Sequence, residues 1–75
     1  MSFMQIGLTI KKRRKDLKII QADLAEIAGV SVNTLYKIER GQGNPSVEII
    51  EKIASVIGME LKLEIKKNAI LDEAG

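Results

Sequence analysis

Asn33, Lys37, Arg40, Thr34 and Tyr36 fall within eight residues of one another, with Val32 just before them. Together they offer amide, ammonium, guanidinium and hydroxyl groups beside one short apolar side chain. That set suits hydrogen bonding to base edges and phosphates in a DNA groove. Other chemistries lack their residues. The 75-residue chain has no histidine and no cysteine. The commonest general base and metal ligand is missing, and so is any thiolate site or disulfide. No nucleophile–base pair can be assembled, so we expect no enzyme, no metal and no cofactor.

Two short helices must present that set. Gln21-Ala22-Asp23-Leu24-Ala25-Glu26-Ile27-Ala28 reads as the first, with Leu24, Ile27 and Ala28 forming an apolar face. Ala25 is small enough to let the helices cross closely. Gly29 lies where the chain needs positive φ, and Ser31 follows as N-cap of the second helix. In that helix Leu35 and Ile38 point inward, Val32, Asn33, Thr34, Tyr36, Lys37 and Arg40 point outward, and Gly41 stops it. This order of features is that of a helix-turn-helix.

The flanks supply the support. Ser2 and Gln5 have capping-box spacing, and a helix is expected from about Phe3 to Leu17. Phe3, Ile6, Ile10, Arg14 and Leu17 share one of its faces at helical spacing. Lys11, Lys12, Arg13, Lys15 and Lys18 point largely elsewhere; beside a helix-turn-helix, phosphate contact by some of them is preferred to a merely solvated face. Ile20 is a poor N-cap, which leaves Gln21 to do any capping or phosphate work there. Gln42 to Ser46 is a loop by composition. A fourth helix then takes Val47, Ile49, Ile50, Ile53, Ala54 and Ile57 inward until Gly58.

After Gly58 the period changes. Met59-Glu60-Leu61-Lys62-Leu63-Glu64-Ile65-Lys66 alternates apolar and polar residues, the pattern of a β-strand with one apolar face. No second alternating run exists, and an unpaired strand invites a partner from another molecule. Met59, Leu61, Leu63 and Ile65 are therefore expected at a dimer interface, in antiparallel strands related by a two-fold axis. The alternative is a fifth helix. The expected fold is mostly α: a four-helix domain over 1–58, a dimerisation strand over 59–66 and a mobile tail over 67–75.

Charge is uneven. Residues 1–43 carry eight Lys/Arg against four Asp/Glu, and residues 44–75 carry four against six. The basic half holds the helix-turn-helix, as expected if one face meets phosphates. The longest apolar runs are too short to span a bilayer, and no signal peptide is visible. We expect a cytoplasmic, nucleoid-associated protein.

Residues from about Ile6 to Gly58 resemble the Xre/Cro family, the DNA-binding domain of phage repressors and many bacterial regulators. The resemblance rests on Ile10…Arg14…Leu17, Gln21-Ala22-Asp23-Leu24-Ala25, Gly29-Val30-Ser31, Leu35-Tyr36-Lys37-Ile38-Glu39-Arg40-Gly41 and Pro45-Ser46…Ile53-Ala54…Ile57-Gly58. It implies a lambda-repressor-like fold and a homodimer on a pseudo-palindromic double-stranded DNA operator. It implies base contacts from Val32, Asn33 and Lys37, a phosphate contact from Gln21, and an Arg14–Glu39 ion pair. Further phosphate contacts are expected from Thr34, Tyr36 and Arg40 of that helix, from Asn44 of the loop after it and from Arg13 of the first helix. Asn pairs with adenine, Lys favours guanine acceptors, and a Val methyl meets a thymine methyl. For Tyr36, packing on the first helix or the loop stands level with phosphate contact.

The strand-like ending resembles HipB-type antitoxins, which adds a toxin protein as a possible partner. The function expected is transcriptional regulation, as a repressor; the alternative is an autoregulating antitoxin. A third reading, an interaction module that does not bind DNA, fits poorly with Asn33, Lys37 and Arg40 on the outward face.

Overall fold

The computed structural model describes residues 2–63. They form four helices: α1 (Phe3–Asp16), α2 (Gln21–Ala28), α3 (Val32–Glu39) and α4 (Val47–Val56). Their boundaries follow local chemistry. The Ser2 hydroxyl accepts from the Gln5 N–H while the Gln5 side chain accepts from the Ser2 N–H, so the capping box is complete. Ser31 and Ser46 cap α3 and α4 by accepting from the N–H groups of Thr34 and Ile49. Ile20, with no side-chain oxygen, caps α2 with nothing. Gly29, at φ 74°, ends α2 in the left-handed conformation that a side chain resists.

Leu24, Leu35, Ile53 and Ile57 are fully buried, with Ile10, Ala25, Ala28 and Ile38 around them. α2 and α3 pack on each other and on α4 and α1 respectively. Ile27 is not part of this core: it is 66% exposed. It lies about 100° round the helix from the centre of the face formed by Leu24, Ala25 and Ala28, at 100° per residue. Phe3, Leu17 and Val47 are also exposed, against expectation. Phe3 is the first residue of α1 and Leu17 its C-cap, so both stand at the ends of a 14-residue helix that packs on an α3 of only 8 residues. Val47 stands in the first turn of α4, beyond the core.

Gly7 takes the inward place that Phe3 and Leu17 do not. It is buried, and a Cβ there would collide with the carbonyl oxygen of Ile38 and lie 3.0 Å from its carbonyl carbon. The absent side chain is what lets α1 cross the end of α3 backbone to backbone.

The expected strand is overturned. No strand occurs among the described residues, and 59–63 is irregular. The Met59 N–H donates to the Ala54 carbonyl at 2.8 Å, so it closes the end of α4 and is lost to any ladder. Met59 packs against the core, and Met59, Glu60 and Leu61 border an apolar groove with Ile6, Thr9, Ile10, Ile50 and Ala54. Leu63 is fully exposed. Alternation placed apolar side chains two apart, but a helix-terminating turn and packing on the bundle satisfied Met59 and Leu61 without a partner strand. The fold class is therefore helical, and the likeness to strand-ended antitoxins falls with the strand. Ile65 and the tail 67–75 lie outside the described residues.

Candidate nucleic-acid interface

α3 is two-sided by construction. Leu35, Ile38 and Glu39 are buried, while Val32, Asn33, Tyr36, Lys37 and Arg40 are exposed. At 100° per residue the exposed five fall in one arc of about 140°, opposite the buried three. The helix is fixed beneath them at both ends. At its start the Ser31 hydroxyl caps the backbone and also donates to the Thr34 hydroxyl at 2.8 Å, so Thr34 is half-buried and held. At its end the Gly41 N–H donates to the Ile38 carbonyl and the Gln42 N–H to the Lys37 carbonyl.

A shallow groove beside α3 is lined by Thr34, Lys37, Gln42, Gly43, Asn44 and Pro45, among others. Three of the expected contact residues, Thr34, Lys37 and Asn44, thus meet at one place. The Arg40 guanidinium sits 5.3 Å from the centroid of the Tyr36 ring. Tyr36 therefore stacks with the cation one turn along its own helix, and the pair remains at the surface.

Under this face lies a buried ion pair. Arg14 Nε donates to Glu39 Oε2 at 2.7 Å and Arg14 Nη2 donates to Glu39 Oε1 at 2.9 Å. The side chains are 9% and 2% exposed. The hydrogen bond to Glu39 holds the Arg14 pKa above its usual value, against the opposing effect of burial. The guanidinium is charged at any ordinary pH, and bidentate geometry offsets its desolvation. Arg14 Nη1 also donates to the Ile19 carbonyl at 2.8 Å, tying the α1–α2 connection to the same centre.

Gln21 is half-buried, and its Nε2 donates to Glu39 Oε1 at 3.0 Å. Arg13 points its Nε at the Ile57 carbonyl, 2.9 Å away, so it caps the C-terminal end of α4. Sequence reasoning missed that role. The partners are 44 residues apart, and nothing local links them. Gly7 was missed as well, though an interior helical glycine is itself a signal of a packing reason.

Among the described residues, no group of acidic, cysteine or histidine side chains is placed to hold a metal ion. None of their helices is long and apolar enough to cross a membrane.

The helix-turn-helix family model matches residues 10–63. The chain belongs to the helix-turn-helix family. It is 34% identical over 70 residues to the immunity repressor protein of Bacillus phage phi105, covering 93% of this chain and 49% of the repressor. It is 38% identical over 66 residues to an uncharacterized HTH-type transcriptional regulator of Methanothermobacter thermautotrophicus, covering 88% of this chain and 91% of that one. The chain thus spans about half the length of the phage repressor and nearly all of the Methanothermobacter regulator. Among solved structures it resembles the restriction-modification controller protein C.AhdI from Aeromonas hydrophila, with a TM-score of 0.73 and 28% identity over 77% of this chain and 88% of the controller.

Proposed function

We propose that this helix-turn-helix protein binds double-stranded DNA sequence-specifically and regulates transcription, as a repressor. The observation that carries the reading is the outer face of α3. It presents an amide, an ammonium and a guanidinium on a helix narrow enough for the major groove, above a rigid buried pair. The similarity to an immunity repressor and to a transcriptional regulator supports it. In this reading Val32, Asn33 and Lys37 face bases, and Gln21, Thr34, Tyr36, Arg40 and Asn44 face phosphates. Arg13 keeps the α4 contact the fold gives it.

The reading includes a homodimer on a pseudo-palindromic operator, with two α3 helices about one DNA turn, ~34 Å, apart. Leu61 and Leu63 are the residues proposed for contact between copies, without a ladder. The antitoxin alternative rested on the strand-bearing ending, and no observation now favours it. Selection from random duplex DNA tests the proposal. The expected result is enrichment of a two-fold symmetric sequence with half-sites about ten base pairs apart. Recovery of unenriched sequence, at affinities that vanish with added salt, would reduce the protein to a non-specific binder.

A further inference from the structure

We infer that Glu39, held by Arg14, is a positioning residue for the DNA contact of Gln21. The inference rests on the reading that the N-terminal end of α2 meets a phosphate. The Glu39 carboxylate accepts three hydrogen bonds: one from Arg14 Nε on Oε2, and one each from Arg14 Nη2 and Gln21 Nε2 on Oε1. Its side chain is 2% exposed. An ionised carboxylate only accepts, so it takes the amide nitrogen of Gln21 and repels the amide oxygen. The side chain cannot flip without setting oxygen against oxygen. One N–H of Nε2 is engaged inward, and the second is left to donate outward.

The backbone there is fixed from the same centre. Arg14 Nη1 holds the Ile19 carbonyl, one residue before the N-cap Ile20. Ile20 brings no side-chain oxygen to the α2 N–H groups, and of the two polar side chains in the first turn, Gln21 and Asp23, Gln21 is the one that can donate to a phosphate. A surface amide is thus set by a buried ion pair rather than by its own rotamer preference. Ordering such a side chain before binding, rather than during it, is worth about 2- to 10-fold in affinity at each half-site.

The test uses the full chain and a duplex obtained by the selection above. Four proteins are compared: wild type, Gln21→Ala, the joint replacement Arg14→Leu with Glu39→Met, and all three changes together. The joint replacement removes both charges at once and so leaves no lone buried charge. Positioning predicts that Gln21→Ala and the joint replacement weaken binding by similar factors and that the triple change is no weaker than either. Independent losses that multiply would overturn it, because a purely structural pair leaves the Gln21 contribution intact. Nuclear magnetic resonance of the Gln21 side-chain amide in the DNA-free wild type gives a second reading that needs no variant. An ordered amide with one protected hydrogen supports the inference, and a freely averaging amide overturns it. A wild type that binds no duplex would sink the proposed function, and the amide spectrum would still decide the inward hydrogen bond.

Discussion

Replacing Gly7 with alanine should destabilise the protein, reversing the usual sign of that substitution. On an exposed helical turn, Gly→Ala gains ~1 kcal/mol from helix propensity. At Gly7 the new methyl would meet backbone: the Ile38 carbonyl oxygen first, the Ile38 carbonyl carbon at 3.0 Å and the Glu39 carbonyl carbon at 3.2 Å. Backbone held in a helix cannot step aside, so α1 must retreat from α3 by about 1 Å, enough to forfeit a quarter to a half of each facing contact. Overpacking of this kind costs ~1–3 kcal/mol. The retreat also pulls on the Arg14–Glu39 pair, which spans the same two helices with bonds of 2.7 and 2.9 Å. Complete loss of one partner of a buried pair costs ~3–5 kcal/mol, and stretching forfeits part of that. After subtracting the propensity gain, the expected net loss is ~2–4 kcal/mol. A domain of this length has only ~4–11 kcal/mol in all. Thermal unfolding followed by circular dichroism should show Tm lowered by ~10–30 °C. A Tm equal to or above wild type would refute the close crossing of α1 and α3.

Three further outcomes are expected. Arg14→Ala or Glu39→Ala should each cost ~3–5 kcal/mol in urea unfolding, and the joint change to apolar residues should cost less than either. A double-mutant cycle without coupling energy would dispose of the pair. Ile20→Ser should stabilise the fold by ~0.5–2 kcal/mol, because α2 has no side-chain cap and Ile20 is 62% exposed, so little burial is lost; an unchanged or lower Tm would contradict that reading of the cap. Gln21→Ala should weaken binding to all duplex sequences about equally, since phosphate carries no sequence information, and competition binding with mismatched duplexes would show it.

The parts of the fold written in local chemistry are legible in the sequence. Ser2, Ser31 and Ser46 cap, and Gly29, Gly41 and Gly58 take positive φ, because those roles depend on a few neighbouring atoms. Leu35 and Ile38 were placed correctly by period alone. What failed depended on the lengths and angles of distant partners. Period says which face of α1 Phe3 lies on and which face of α4 Val47 lies on, and it does not say where the neighbouring helix ends. Gly7 carries no hydrophobic signal, yet it is where α1 meets the backbone of α3 with no room for a Cβ. The alternation from Met59 misled because period 2 is necessary for a half-buried strand and not sufficient. A ladder needs free N–H groups and a partner, and α4 had already taken the N–H of Met59. At the site, the outward arc of α3 was legible from spacing except at Thr34, which is half-buried beside the capping Ser31. The engagement of Gln21 by Glu39 and of Arg13 by Ile57 was not, because each joins residues far apart in sequence.

The central claim is that the exposed face of α3 reads bases. Asn33 is exposed on that face, and an asparagine bonded bidentately to one base discriminates by ~1–3 kcal/mol. The direct measurement is the affinity of wild type and Asn33→Ala for a selected operator and for every single-base variant of one half-site. Loss of discrimination at a single position, with preferences elsewhere intact, is the result this account predicts. An unchanged ranking of all variants would contradict it and remove α3 as the reading helix.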